Sequence, residues 1–145
     1  MVDSATTNRE LHCVVVTPER AILDESADFV ALPLYDGELG VLSGRAPLIG
    51  RLGYGELRII KGGVTHRFFV DGGFVQIRDN TVTVLTSRAI KAENIDAEGA
   101  RRVLAEPLPV GAAAEARAAR SKAKERARSQ IRVSHHVHDT PPGHS

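Results

Sequence analysis

A glycine-rich stretch from Pro33 to Leu57 constrains this chain more than any other part of the sequence. It reads PLYDGELGVLSGRAPLIGRLGYGEL, with glycines at 37, 40, 44, 50, 53 and 55. Glycine lets a backbone turn where a Cβ atom would clash, and the apolar residues between these glycines can still be buried. The pattern therefore predicts a tightly bent, folded segment that starts at an Asp36-Gly37 turn. Turn-rich segments of this kind commonly present a surface to a partner.

The residues of common catalytic and nucleotide-binding loops are missing from this stretch. It contains no histidine or cysteine, and no Gly-Lys-Ser/Thr motif to hold a phosphate. His12 and Cys13 could suggest a thiol nucleophile, but adjacent strand residues point to opposite faces, so we predict that Cys13 is a small buried residue. His135, His136 and His138 have no cysteine or carboxylate cluster beside them to complete a metal site. We expect no catalytic residues, no cofactor and no metal.

Length and charge indicate one compact domain with an appendage. The chain has 145 residues and a single cysteine, which excludes an internal disulfide and favours a reducing compartment. Residues 1–90 carry nine basic and eleven acidic side chains, whereas residues 91–145 carry ten basic and seven acidic ones. This asymmetry predicts two parts with different roles. The first ten residues are polar and no apolar run reaches membrane-spanning length, so we expect no signal peptide and no membrane insertion.

Short apolar runs separated by turn signals fill the chain from Leu11 to Ser87. Gly62-Gly63, Asp71-Gly72-Gly73 and Asp79-Asn80 are each predicted as turns. About nine short antiparallel strands with such turns indicate a β-sandwich or barrel.

The pattern becomes helical at Asn94. Asn94 is predicted as the N-cap of a helix that starts at Ile95, and Pro107 and Pro109 end this helix. A second helix is predicted from about residue 112 to residue 132. Its narrow apolar stripe buries little area, so we expect the helical hairpin to dock weakly and to be able to detach; the stripe consists of Ala116, Ala119, Ala123, Ala127 and Ile131. Residues 1–10 and 134–145 are predicted to be disordered.

Several motifs, taken in order, resemble a known family. They are TPER, LPLYDGELGVLSGRAPLIGRLGYGELRI, FFVDGGFVQI, VTVLTSRAI and NIDAEGA. Their order and spacing over residues 11–106 resemble the epsilon subunit of F-type ATP synthases, called delta in mitochondria, and ERARSQIRV is similar to the family's C-terminal helix. The resemblance implies an all-β sandwich of about ten short antiparallel strands over residues 11–90, followed by a C-terminal α-helical hairpin over residues 91–133.

The resemblance also implies a function and partners. The family's protein is a non-catalytic rotor subunit of a proton-translocating ATP synthase, peripheral to the cytoplasmic face of the bacterial plasma membrane. Its sandwich binds the gamma subunit and rests on the ring of c subunits. The matching c-ring contacts here are Gly37, Glu38, Leu39 and Gly40. The matching gamma contacts are Arg45, Ala46, Pro47 and Leu48, with Arg45 standing where the family usually has histidine. Phe74 is expected in the core.

The helical hairpin of bacterial members can extend along the stalk and inhibit ATP hydrolysis. Basic residues then meet the beta subunit, with alpha beside it, and the residues that would do so here are Arg117, Arg120, Lys122, Lys124, Arg126 and Arg128. Some members bind ATP through an Ile/Leu-Asp-x-x-Arg-Ala motif. This chain keeps Ile95, Asp96 and Ala100 but has Gly99 in place of the arginine. We expect ATP binding to be weak or absent.

Other classes of protein are alternatives to this family. One alternative is a free-standing β-sandwich binding module with a basic helical arm. A small hydrolase would need a set of catalytic residues that the sequence does not assemble. A nucleic-acid arm would carry aromatic residues among its basic ones, and this helix has none, so we expect no nucleic-acid partner. The basic residues could also form a solvated helix face without a target.

Overall fold

The computed structural model describes residues 10–107 and 113–139, without the side chains of residues 137–139. A 3₁₀ turn at Ala92–Asn94 separates strands from helices. The strands are β1 Leu11–Val16, β2 Ala21–Ala27, β3 Phe29–Leu34, β4 Gly37–Val41, β5 Leu48–Lys61, β6 Val64–Arg78, β7 Thr81–Leu85 and β8 Ala89–Lys91. The helices are α1 Ala97–Ala105 and α2 Ala114–Asp139.

The strands form one sheet that folds over on itself as a sandwich. Their order is β2-β1-β7-β6-β5-β3-β4, with β8 paired to β6. All neighbours are antiparallel except β1 and β7, which run parallel. Strand β6 pairs with β8 over residues 68–70 and with β7 over residues 74–78, while β5 accompanies it throughout. The long β5–β6 hairpin therefore belongs to both layers, which confirms the predicted sandwich followed by two helices.

The core lies between the two layers. Inward-facing side chains from both layers are almost fully buried, among them Cys13, Leu57, Phe68 and Val75. Burial raises the pKa of the Cys13 thiol to about 12, so this cysteine behaves as a small apolar residue, as predicted.

The strand number differs from the prediction because one predicted turn lies inside a strand. Gly72 and Gly73 have φ values of +70° and +111°, yet they remain within β6. A Cβ atom on Gly73 would lie 1.9 Å from the carbonyl oxygen of Leu85. These glycines bend β6 from one layer to the other without reversing it. The sheet consequently has eight strands in the described residues, two of them 14 and 15 residues long.

The other two predicted turns are confirmed. Gly62 and Gly63 have φ values of +59° and +81°, and Asp79 and Asn80 have values of +52° and +59°. Two consecutive positive φ values suit the two-residue turns that join antiparallel strands with a right-handed twist.

The helix bounds also differ from the prediction. Asn94 ends the 3₁₀ turn, and Asp96 instead caps α1, its carboxylate accepting a hydrogen bond from the Gly99 backbone N–H at 2.9 Å. Helix α2 continues to Asp139, so residues 134–139, predicted to be disordered, are helical. A contact between His136 and the sandwich accounts for this, since tertiary packing overrides weak local propensity. Residues 1–9 and 140–145 lie outside the described residues; Glu10, also predicted to be disordered, pairs with Lys61 at 2.6 Å.

Candidate interaction surfaces

The two outer faces of the sandwich differ in what covers them. Helix α2 packs on the outer side of β5 and β6, near residues 54–56 and 69–71. The opposite face is formed by β1, β7, the end of β6 and the start of β5. Ile49, Phe74 and Leu85 on this face are at least half exposed, so no described element covers them, and Val16 beside them is partly buried.

The exposed apolar face, here called the bare face, is defined by Val16, Ile49, Phe74 and Leu85. The register places Phe74 beside Leu85 and Leu85 beside Val16, so these three form one row across three strands. Ile49 lies two residues before Arg51, the cross-strand partner of Phe74, and therefore points to the same side. Ile49, Phe74 and Leu85 are 77%, 57% and 50% exposed. Three large apolar side chains are thus exposed on the same face of a small domain.

The prediction that Phe74 lies in the core is wrong. Strand residues alternate between faces, and the inward position is taken by Val75, which is 1% exposed. Phe74 instead projects outward with Leu85. The only sequence signal for this was the alternation of Phe74, Gln76 and Arg78 against Val75 and Ile77, which places Phe74 with the polar residues.

The residues predicted to contact a c-ring lie on the edge strand β4. Glu38 is exposed and accepts a hydrogen bond from Arg58 at 3.2 Å. Leu39 packs against the core, while Gly37 and Gly40 are exposed. The structure therefore leaves Glu38 at the surface with one side of its carboxylate engaged.

The residues predicted to contact gamma occupy the connection between β4 and β5. Arg45, Ala46 and Pro47 are exposed, and Leu48 is half-buried against the core as the first residue of β5. The connection is fixed at Gly44, whose N–H donates to the Asn80 side chain at 2.7 Å. Because Ile49 of the bare face follows Leu48 directly, these residues border the bare face.

The covered face, here called the helix seat, consists of Tyr54, Glu56, Phe69 and Asp71. These residues share one side of the β5–β6 ladder, where Tyr54 is opposite Asp71 and Glu56 is opposite Phe69. Three side chains of α2, separated by seven and then three residues and therefore on one helix face, meet the seat: Arg126, Val133 and His136.

Each end of the seat makes a polar contact with α2, and its centre is apolar. Arg126 donates to Asp71 at 3.0 Å, and its guanidinium lies 5.1 Å from the centre of the Tyr54 ring. Val133, 2% exposed, packs in one cluster with Phe69. At the other end, His136 Nδ1 contacts the carboxylate of Glu56.

Glu56 is the electrostatic centre of the seat. Its side chain is only 9% exposed, and it accepts hydrogen bonds from Arg58 and Arg67, each at 3.2 Å, besides its contact with His136. Burial alone raises the pKa of Glu56, but the hydrogen bonds and positive charges outweigh it, so the pKa lies below its ordinary value of 4.5. Sequence reasoning missed this residue, although two nearby arginines and an acidic residue between apolar neighbours were visible signals.

The predicted basic set on α2 is partly engaged within the chain. Arg120 pairs with Glu106, and Lys124 donates to the carbonyl oxygens of Leu104, at 2.8 Å, and of Glu106. These lysine contacts satisfy the carbonyl end of α1. Lys122 and Arg128 are exposed, and Arg126 is bound to Asp71; Arg117, the first of the set, lies in the exposed N-terminal part of α2.

Three residues of the altered ATP motif, Asp96, Gly99 and Ala100, line a cleft of about 390 Å³ between α1 and α2. Asp96 is occupied in capping Gly99, and Ala100 is buried, while Ile95 packs near Phe69. Position 99 offers no side chain to a phosphate. Among residues 10–107 and 113–136, no cluster of three histidine, cysteine or acidic side chains could hold a metal ion.

No helix in the described part of the chain combines the length and apolarity needed to cross a membrane.

Comparison with known proteins agrees with this architecture. Residues 10–92 match the family model described as ATP synthase, Delta/Epsilon chain, beta-sandwich domain. The ATP synthase epsilon chain of Rhodopirellula baltica is 53% identical over 125 residues, which cover 86% of this chain and 98% of that protein. That of Nitratidesulfovibrio vulgaris strain Miyazaki F is 46% identical over 94 residues, 65% of this chain and 70% of the relative.

Solved structures share the fold at lower identity. A chain of the Euglena gracilis mitochondrial ATP synthase (OSCP/F1/c-ring) matches with a TM-score of 0.67 and 22% identity, covering 91% of this chain and 82% of that one. A chain of the Tetrahymena thermophila mitochondrial ATP synthase central stalk and c-ring matches with a TM-score of 0.61 and 16% identity, covering 86% and 96%. The family match and the long, highly identical relative together establish that the chain belongs to the ATP synthase delta/epsilon chain family.

Proposed function

We propose that this chain is the epsilon subunit in the central stalk of a proton-translocating F-type ATP synthase. It couples rotation of the c-ring to the catalytic sector through gamma and has no catalytic residues of its own. The proposal is supported by the relatives named ATP synthase epsilon chain, one of which matches along almost its whole length. The subunit works at the cytoplasmic face of the bacterial plasma membrane, held there by the complex.

The bare face is the observation that carries this proposal. A domain that worked alone would expose Phe74 and Leu85 to water at a cost in solubility, in a row that the partly buried Val16 continues. A stalk subunit instead buries such a row against a neighbour. We assign gamma to the bare face, with Arg45 to Leu48 at its border. A large aromatic side chain near the centre of an interface commonly supplies much of the binding energy, and Phe74 has this position.

Two further contacts complete the proposal. Glu38, with its neighbours Gly37, Leu39 and Gly40, faces the c-ring from the edge strand. The basic residues of α2 inhibit ATP hydrolysis when the helix leaves the seat and meets the beta and alpha subunits. Individual exposed ion pairs are worth only about 0–1 kcal/mol, so inhibition requires several of these residues together.

Co-purification tests the proposed function. Tagged full-length chain, expressed in cells that make the parent enzyme, is expected to recover gamma and the catalytic subunits in stoichiometric amounts. Recovery of none of these subunits would contradict the proposal and favour the free-standing binding module.

A further inference from the structure

One polar side chain in the contact between α2 and the helix seat is buried without a hydrogen bond from the described residues. Ser129 is 2% exposed, and its hydroxyl has no hydrogen-bond partner among the described residues. It lies three residues after Arg126 and four before Val133, on the helix face that meets the seat. The mismatch therefore falls inside the docked surface.

The surrounding contacts are well satisfied, which isolates Ser129 as the exception. Arg126 has Asp71 and Tyr54, Val133 has Phe69, and His136 has Glu56. A serine in this helix can also satisfy itself locally, because the Ser134 hydroxyl donates to the carbonyl of Ile131 at 2.7 Å. Ser129 makes no such bond. Its hydroxyl loses its hydrogen bonds to water when α2 docks and gains none from the residues that the structure describes.

We propose that Ser129 weakens the docking of α2 on the sandwich and thereby sets how readily the helix is released. An unsatisfied buried hydroxyl disfavours the buried state by about five- to a hundredfold in an equilibrium constant. Alanine would fill nearly the same space without this penalty, as Ala127 does two residues earlier on the same helix, at 4% exposure. Serine at 129 thus shifts the docking equilibrium towards release, while the polar contacts at both ends of the seat define the docked position.

This inference rests on the proposed function and adds to its account of regulation, because it names the residue that governs how readily the basic helix leaves the seat. Docking is nevertheless a property of the isolated chain. It can therefore be tested without any ATP synthase subunit, and its failure would leave the test by co-purification untouched.

Hydrogen exchange of the backbone amides of α2, measured on the purified full-length chain, reports how often this helix leaves the seat. A helix detached from its seat is marginally stable, so its amides exchange through the released state. Ser129→Ala is the test variant. Ser121→Ala is the matched control, since Ser121 is exposed on the same helix and reports the helix propensity of alanine alone, worth about twofold.

Ser129→Ala is expected to slow exchange over residues 123–136 at least about fivefold more than Ser121→Ala does. Arg126→Gln should speed exchange over the same residues, whereas Arg128→Gln at an exposed position should not. Equal exchange in Ser129→Ala and Ser121→Ala would overturn the role of Ser129. Unchanged exchange in Arg126→Gln would overturn the docked arrangement on which that role depends.

Discussion

At the scale of single residues, Glu56 shows how one buried carboxylate organises a docking surface. A nearly buried charge is costly unless it is paired and hydrogen-bonded. Here Arg58 and Arg67 hold the carboxylate from within the sheet, and His136 reaches it from the helix. Residues of the sandwich and of the docked helix therefore stabilise this charge together.

Lowering the pH should reduce the stability that the Glu56 carboxylate contributes to the fold. Because folding lowers the pKa of Glu56, the stabilisation from its ionised form is complete above its ordinary value of 4.5 and is lost as the pH falls through the lower, folded value. Glu56→Gln should cost about 1.5–3 kcal/mol at pH 7 and flatten the fall in stability below pH 4.5. Urea unfolding across this pH range measures both effects. Glu19→Gln, at an exposed position, is the control and should change neither.

Gly73 is a second residue that a local substitution tests. Its φ of +111° disfavours any side chain, and a Cβ atom would meet the backbone of Leu85. Gly73→Ala should destabilise the fold by more than about 3 kcal/mol, since strain and a backbone clash add. Gly44 also has a positive φ, of +88°, but open space around it, so Gly44→Ala should cost only about 1 kcal/mol. Equal losses in the free energy of chemical unfolding for Gly73→Ala and Gly44→Ala would show that β6 does not need its bend.

At the scale of elements, α2 has two halves with different surroundings. Residues 114–119 are exposed, whereas the later part of the helix packs on α1 and on the seat. The alanine stripe predicted from the sequence is therefore buried only in part: Ala127 is buried, but Ala116 and Ala119 are exposed. Contacts made by Arg126, Val133 and His136 with the seat therefore add to the packing of Ala127.

Removal of the helical hairpin tests its regulatory role. Truncation after Glu93 should leave assembly with gamma intact, because the sandwich ends at β8, and should raise ATP hydrolysis by the assembled enzyme. Truncation after Asp139, which keeps both helices, is the control and should leave hydrolysis unchanged. Equal hydrolysis in the two truncated enzymes would show that the helices do not inhibit.

The sequence predicted those elements whose cause is local. Gly62-Gly63 and Asp79-Asn80 specify their turns through positive φ values, and the change of periodicity near residue 94 separates strands from helices. The outcome at Gly72-Gly73 depended on the backbone of β7, far away in sequence, so the same residue types made a bend instead of a turn. Glu56 and His136 could not be paired from sequence, because their contact exists only once α2 has docked.

At the scale of the whole molecule, the two outer faces of the sandwich differ in what the described chain supplies to cover them. The helix seat carries charges that its own α2 satisfies, whereas the bare face carries apolar side chains that nothing described in this chain covers. This difference is what the proposed function requires: gamma would bind the bare face while α2 leaves and returns to the seat.

Binding of gamma to the bare face is the central claim, and one affinity measurement tests it most directly. Phe74→Glu should weaken binding of purified gamma by at least about tenfold, while thermal unfolding shows that the fold is kept. Val64→Glu, at a residue 48% exposed beside the Gly62-Gly63 turn, should leave the affinity within about twofold of the unaltered chain. Undiminished binding by Phe74→Glu would contradict the account.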